Sequence, residues 1–317
     1  MLITRRSLTA ALAGTALLPL LGTLPAHAAD KVIRVGYQKY GTLVLLKGKG
    51  ILEEKLEAIG YTVEWSEFPA GPQLLEALNV GAVDFGSTGE TPPIFAQAAG
   101  APLVYVAHEP PAPRGEAILV PADSPIKTVA DLKGKNVALN KGSNVHFLLV
   151  KALEDAGLAY TDIKTSFLPP ADARAAFEQG AVDAWVIWDP FQAAAEAAIG
   201  ARTLRNGENL VPNHQFYLST KTFVDAHAEA LDVTIAAIGE IDQWAKANTA
   251  TAAQELAPIV GIPGDVLAIA LERQSFGVTP LSEAVVAQQQ AIADTFHTLG
   301  LIPAPIVIAD NVRKGGA

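Results

Sequence analysis

Three junctions set small hydroxyl, amide and acidic residues directly after a β-type run. Gly86-Ser87-Thr88-Gly89-Glu90 follows a run ending at Phe85, Lys141-Gly142-Ser143-Asn144 follows one ending at Leu139, and Trp188-Asp189-Pro190-Phe191 closes a third. At a helix start, small hydroxyl-bearing residues leave backbone N–H groups free and add hydroxyl donors, all converging on one point that favours an anion. The same residue types also serve as ordinary caps, because Ser, Thr, Asp and Asn lead at helix starts with or without a ligand. Asp189 before Pro190 has a complete structural explanation as cap and first-turn proline. Trp188, at the end of its run, is a candidate wall for an apolar ligand part, with Trp185 facing the opposite way. Tyr37 and Gln38 close the first run at a comparable edge. Glu109 and Arg114 bracket a proline-stiffened segment that either lines a cleft or rims it.

The catalytic inventory is poor. There is no His-Glu-x-x-His, no Walker loop, no Gly-x-Ser-x-Gly elbow around Ser87 and no cysteine. The six histidines show no zinc-ligand spacing. Nothing in the pattern asks for a cofactor or a metal. A triad of Ser87 or Ser143 with His146 and Asp189 has no local support and remains an open alternative.

The elements that must position these junctions follow an α/β grammar. Val32-Ile33-Arg34-Val35-Gly36-Tyr37 reads as a strand, residues 42–59 as a helix ended by Gly60, 61–68 as a second strand, and Pro72 opens a helix closed by Gly81. Strand, helix, strand alternation argues for a largely parallel sheet, with ligands expected beyond the carboxyl ends of its strands. The tetrapeptide Gly-Ala-Val-Asp occurs at residues 81–84 and again at 180–183, each time after a helix and before a strand, which suggests two lobes built alike. From residue 221 onward the pattern is helical, and these helices are expected to return over the first lobe.

Composition narrows the function. Of 317 residues 50% are hydrophobic and 18% charged, so a large core is expected and global disorder is excluded. A net charge of −10 provides no basic stripe, which argues against a nucleic-acid partner. Arg5-Arg6, the apolar residues 8–21 and Ala26-His27-Ala28 read as a signal peptide over residues 1–28, by a general secretory or a twin-arginine route. Its removal takes away two arginines and no acids, leaving 21 basic against 33 acidic residues, a charge of −12. Any anionic ligand must then be held by local donors. The single methionine is Met1 and there is no cysteine, so the processed chain would hold no sulfur. That is either an accident of an Ala-rich composition or economy in a protein made when sulfur is scarce.

At these junctions the sequence resembles the periplasmic aliphatic sulfonate-binding proteins of ABC importers, within the nitrate, sulfonate and taurine group. The resemblance is carried by Gly36-Tyr37-Gln38-Lys39, Phe68-Pro69-Ala70-Gly71-Pro72-Gln73, Gly86 to Glu90 with the following Pro92-Pro93-Ile94-Phe95, and Glu109-Pro110-Pro111. It continues through Thr128-Val129-Ala130-Asp131-Leu132-Lys133-Gly134, Lys141-Gly142-Ser143, Pro170-Ala171-Asp172-Ala173-Arg174, Val182-Asp183-Ala184-Trp185 and Ile187-Trp188-Asp189-Pro190. Phe191 stands where some relatives have a tyrosine, so a hydroxyl contact there is lost.

The resemblance implies a type II periplasmic binding protein, two similar α/β lobes joined by a two-crossing hinge. Lobe 1 is expected over residues 32–120 and 216–317, lobe 2 over 121–215, with crossings near 119–121 and 214–218. It implies ligand contacts from Gln38, Ser87, Thr88, Gly89, Glu90, Gly142, Ser143, Asn144, His146, Trp188, Asp189 and Tyr217, and no catalytic residue. The expected ligand is a small anionic organosulfonate, captured by a soluble periplasmic monomer and delivered to a transmembrane permease. Taurine, a sulfate ester or nitrate are alternatives on the same fold, and an exported hydrolase or a sensor domain is one of another class. A sulfonate has three acceptor oxygens and stays ionised, so a site of donors suits it. Glu90 and Asp189 sit awkwardly beside an anion, and are expected either to cap helices, to face outward or to meet an amino group on the ligand.

Overall fold

The computed structural model describes residues 31–314. The expected signal segment 1–28 and its cleavage point lie outside the described residues. In chain order, β1 (Lys31–Tyr37), α1 (Thr42–Lys49), α2 (Ile51–Glu57), β2 (Tyr61–Glu67), α3 (Gly71–Asn79), β3 (Phe85–Gly89), α4 (Pro92–Ala98) and β4 (Leu103–His108) come first. After a crossing follow β5 (Glu116–Val120), β6 (Asn136–Leu139), α5 (Asn144–Asp155), β7 (Lys164–Phe167), α6 (Pro170–Glu178), β8 (Ala184–Trp188), α7 (Phe191–Ile199) and β9 (Arg202–Asn206). A second crossing leads to β10 (Gln215–Thr220), then α8 (Lys221–Ala226), α9 (Ala228–Ala247), α10 (Thr249–Val260), α11 (Gly264–Arg273) and α12 (Glu283–Thr298).

The strands form two five-stranded sheets, ordered β2-β1-β3-β10-β4 and β7-β6-β8-β5-β9. The two orders are the same topology written twice. In each, three parallel strands are followed by one antiparallel strand, β10 or β5, and that strand is the one that enters directly from a crossing. The repeated Gly-Ala-Val-Asp therefore marks equivalent places, just before β3 and just before β8. Asp84 and Asp183 do the same work in the two sheets: each carboxylate accepts the backbone N–H of the neighbouring strand, Arg34 at 2.9 Å and Asn136 at 2.8 Å.

Two expectations about boundaries need correction. The first lobe was expected to extend through residue 120, but β5 pairs antiparallel with β8, Leu119 opposite Trp185, and so belongs to the second sheet. The crossings accordingly run over residues 109–115 and 207–214, earlier than expected, because each crossing must end before its antiparallel strand begins. They are bound to each other: Ala112 N–H donates to the Pro212 carbonyl at 3.0 Å, and Gly207 N–H to the Pro113 carbonyl at 2.9 Å. The helix expected over 42–59 is also interrupted, since Gly50 adopts a left-handed φ of 67° that ends α1 and starts α2 at a new angle.

The core follows from the strand patterns. Ile33 and Val35 of β1, Val137 and Leu139 of β6 and the whole of β8 are buried, as expected of strands covered on both faces. Leu74, Leu75 and Leu78 of α3 pack beneath the first sheet, and Leu148, Leu149 and Leu153 of α5 beneath the second. Trp185 is fully buried with its ring 5.9 Å from that of Phe177, whereas Trp188 turns to the cleft, as their spacing in a strand requires.

The C-terminal helices cover more than the first lobe. Ile238, Ile241 and Ala245 of α9 share a cluster with Leu43, Leu46 and Leu56 of α1 and α2. Val266 and Ala270 of α11, however, pack on Ala193 and Ala194 of α7, which belongs to the second sheet. Arg273 at the end of α11 reinforces this contact, reaching Glu196 at 2.6 Å and Asp189 at 3.5 Å. Phe296 of α12 lies between the lobes, 5.0 Å from the Phe95 ring and 6.0 Å from Phe147.

Arg273 is the guanidinium partner of an Asp189 carboxylate that is only 1% exposed. Removing one partner of a buried pair leaves an uncompensated charge. Arg273→Ala is expected to destabilise the protein by about 1–3 kcal/mol in urea unfolding, given that Arg273 itself keeps some solvent contact. An unchanged midpoint would show that α11 contributes no electrostatic tie to the second sheet.

Candidate functional site

A narrow cleft lies between the two sheets. Its walls are the segments that follow strand ends: Gln38 and Tyr40 after β1, Gly71 at the start of α3, Gly89 and Pro92 after β3. The second sheet brings Ser143 and Asn144 at the start of α5 and Trp188 at the end of β8. The second crossing and the start of β10 add Asn213, His214 and Gln215. No Lys, Arg, Asp or Glu stands among these wall residues. The nearby lysines are engaged elsewhere: Lys39 reaches the Val260 carbonyl, and the Lys141 ammonium lies 5.5 Å over the Phe167 ring.

The cleft is therefore lined by neutral polar groups and helix starts. Neither Gly41 before α1 nor Ala70 before α3 supplies a side-chain cap, and Ser143 before α5 turns its hydroxyl to the Asn140 carbonyl at 2.7 Å. The first-turn N–H groups of α3 and α5 keep their partial positive charge on the cleft side. Gln38 Nε2 donates to the Ser87 carbonyl at 3.0 Å, fixing its amide across the mouth of β3. Gln215 Nε2 is buried with no partner among the described residues. That amide lies over Gly41, where a Cβ would come within 2.4 Å of it; Gly41, at φ 82°, holds a conformation and a gap that only glycine provides.

Of the expected contacts, the structure brings Gln38, Gly89, Ser143, Asn144 and Trp188 to the cleft wall. The others stand just behind it or away from it. Ser87 contributes its carbonyl to Gln38, and the Thr88 hydroxyl donates to the Gly89 carbonyl at 2.9 Å. Gly142 donates its N–H to His146 Nδ1 at 3.3 Å. His146 is wholly buried, its Nε2 2.8 Å from the Tyr160 hydroxyl, and burial pushes its pKa down to about 4. Tyr217 is fully buried, stacked on Phe85, with its hydroxyl donated to Glu109 at 2.6 Å. Pro190, not Asp189, is the N-cap of α7; Asp189, one residue before it, accepts the Ala193 N–H at 3.0 Å and pairs with Arg273. Burial raises its pKa to about 6 even with that partner.

These engagements also separate the members of the candidate triad. The Ser143 hydroxyl goes to Asn140, His146 to Gly142 and Tyr160, and Asp189 to Ala193 and Arg273. None of them meets another. Sequence reasoning missed Tyr40, Gly71, Pro92, Asn213, His214 and Gln215. Tyr40 and Gly71 sit inside recognisable strand-to-helix junctions, but Asn213 and Gln215 reach the cleft only because the second crossing passes there, which no local pattern reveals.

Behind the wall lies a layer of buried carboxyls. Glu90 Oε2 accepts the His214 N–H at 2.9 Å while Oε1 has no partner, and burial raises its pKa to about 8. Glu116 accepts from Asn144 Nδ2 and its Oε1 is likewise unpartnered; burial, with Glu90 adding to it, raises its pKa well above the carboxylate range. Glu109 takes the Gly277 N–H at 2.7 Å and the Tyr217 hydroxyl, and burial, with the Asp242 charge beside it, raises its pKa to about 9. Burial thus favours the protonated form of all three, which limits the negative charge they set against a bound anion.

Comparison with known proteins agrees with this geometry. A family model described as the NMT1-like family matches residues 28–261. A protein of Escherichia coli strain K12 described as an aliphatic sulfonates-binding protein is 45% identical over 289 residues, covering 90% of each chain. One of the same description from Bacillus subtilis is 33% identical, covering 90% of this chain and 87% of its own. Among solved structures, the alkanesulfonate-binding protein of Xanthomonas axonopodis pv. citri bound to MOPS superposes with a TM-score of 0.85 at 43% identity, covering 89% and 98%.

The raised pKa of Glu90 makes a pH prediction. Between its unfolded value of 4.5 and about 8, the folded protein holds a proton that the unfolded chain has released. That contribution to stability is complete below pH 4.5 and is lost as pH rises through about 8. Glu90→Gln, neutral throughout, is expected to fall less in melting temperature between pH 5 and pH 8 than the parent. Parallel profiles would place the proton elsewhere.

Proposed function

The chain belongs to the NMT1-like family, and from that premise we propose that it is a solute-binding protein that captures alkanesulfonates in the cleft between its lobes. The observation that carries this reading is a cleft walled by polar donors, helix starts and one indole, with no Lys, Arg, Asp or Glu among its described wall residues. A sulfonate is a permanent monoanion with three acceptor oxygens and an organic part. Helix starts and the amides of Gln38 and Gln215 suit the head group, and Trp188 suits the organic part.

The absence of sulfur from residues 2–317 supports the same reading, because a protein that scavenges sulfur is made when sulfur is short. The N-terminal pattern supports export to the periplasm with cleavage near Ala28. The relatives are named as binding proteins, which supports a role in delivering the ligand to the permease of an ABC importer. Binding without turnover accords with a Ser143 hydroxyl that faces a carbonyl rather than a base. Release would proceed by separation of the lobes about the two crossings.

The test is thermal unfolding of the chain without residues 1–28 against sulfate, nitrate, taurine, a sulfate ester and alkanesulfonates of increasing length. A ligand at a hundred times its dissociation constant adds about 2.7 kcal/mol of stability. Shifts with the sulfonates that grow with the organic part are expected, and a shift confined to nitrate or sulfate would overturn the reading. Trp188→Ala is expected to weaken long-chain sulfonates at least several-fold more than short ones in calorimetric titration. Equal losses would make Trp188 packing rather than ligand wall.

A further inference from the structure

Asn144 stands at the first position of α5, and its amide is not free to turn. Asn213 Nδ2 donates to the Ala112 carbonyl at 2.9 Å, and a carbonyl can only accept. This fixes Asn213 Oδ1 on the other side, where it accepts from Asn144 Nδ2 at 3.0 Å. The second hydrogen of the same Nδ2 goes to Glu116 Oε2. Turning the Asn144 amide over would press its oxygen against Asn213 Oδ1, two acceptors with no hydrogen between them. The orientation is thus locked from the backbone of the first crossing outward. Both Asn144 side-chain hydrogens are spent, so this side chain donates nothing to an anion.

What Asn144 shows the cleft is its Oδ1. Among the described residues no group donates to it, and it lies beside Gly89, 2.9 Å from where a Cβ on that glycine would be. A sulfonate head group cannot satisfy it, because all three of its oxygens are acceptors. The group that meets Asn144 Oδ1 must come from another part of the ligand and must be a donor. Tyr40 on the same wall has the carboxyls of Asp189, Glu116 and Glu109 as neighbours, and burial, with these groups adding to it, pushes its hydroxyl pKa up. Asp189 and Glu90, the acids first considered for a ligand amine, spend oxygens on Ala193, Arg273 and His214 behind the wall.

Resting on the reading of the cleft as a sulfonate site, we infer that Asn144 is a specificity-determining residue. Its locked carbonyl oxygen selects sulfonates whose organic part carries a hydrogen-bond donor, ammonium ahead of hydroxyl, over plain alkanesulfonates of the same size. Glu116 is the positioning residue behind it, holding the amide by one hydrogen bond, and an ammonium is preferred to a hydroxyl because a charged donor makes the stronger bond to the same oxygen.

The experiment is calorimetric titration of the chain without residues 1–28 with matched ligands. Propane-1-sulfonate, 2-hydroxyethanesulfonate and 2-aminoethanesulfonate differ only in a terminal methyl, hydroxyl or ammonium, and a second set is one methylene longer. In at least one set the hydroxyl ligand is expected to bind about three- to tenfold more tightly than the methyl ligand, with the ammonium ligand tighter still. Asn144→Ala is expected to bring the hydroxyl-to-methyl ratio to about one. That ratio is insensitive to a uniform loss of affinity. Glu116→Gln keeps an oxygen for Asn144 Nδ2, so the order of the three ligands is expected to persist. Methyl ligands binding as tightly as the others in both sets, or ratios unchanged in Asn144→Ala, would overturn the inference while leaving the sulfonate reading intact. No binding by any of the six ligands would overturn the sulfonate reading and the inference with it.

Discussion

The hydrogen bonds that zip the two crossings together set the positions of four polar residues of the cleft wall, Asn144, Asn213, His214 and Gln215. Ala112 gives its N–H to Pro212 and its carbonyl to the Asn213 side chain, and Asn213 in turn orients Asn144 on the second lobe. The next residue, His214, offers its N–H to Glu90 on the first lobe. Gln215 then starts the antiparallel strand that carries its amide over Gly41. A few residues of backbone pairing thereby align polar groups from both lobes, and a shift of either crossing would move all of them at once.

That arrangement solves an electrostatic difficulty. A protein with a net charge of −10 must hold an anion without placing a lysine or arginine on it. It does so by leaving helix starts uncapped where they meet the cleft and by burying the nearest carboxyls deeply enough to keep their protons. Burial alone would make an ionised Glu90 or Glu116 costly, and the proton removes both that cost and the repulsion of a ligand. The carboxyls that stay ionised near the cleft have other partners, as Asp189 has in Arg273. Arg273 serves the second lobe from a helix that follows the first, so the same ion pair also ties α11 to α7.

Much of the architecture was legible in the sequence, because strand-helix alternation and helix-closing glycines are local signals. The Gly-Ala-Val-Asp repeat pointed correctly to two lobes of one design, and each Asp proves to bridge neighbouring strands in its own sheet. The lobe boundary was not legible. β5 reads as one more strand after β4, and only its antiparallel pairing with β8 assigns it to the second sheet. For the site, junction chemistry located Gly89, Ser143, Asn144 and Trp188 but not the direction in which each side chain spends its bonds. His146 and Tyr217 belong to aromatic packing, and the Asn144 amide is committed to the hinge. Such commitments depend on residues 28 to 108 positions away, as with Glu116 for Asn144 and Glu109 for Tyr217, and no local pattern encodes them.

The central claim is that uncharged donors in this cleft hold a sulfonate. Gln215 tests it most directly, because its Nε2 is buried, unpartnered and on the wall. Gln215→Glu keeps the size and shape of the side chain while replacing a donor by an acceptor that carries or sheds a proton. Calorimetric titration with an alkanesulfonate bound by the parent is predicted to show a loss of about a hundredfold or more near pH 8, since a donor to the anion is lost and a like charge takes its place. Affinity equal to that of the parent would contradict the account and place the head group away from Gln215.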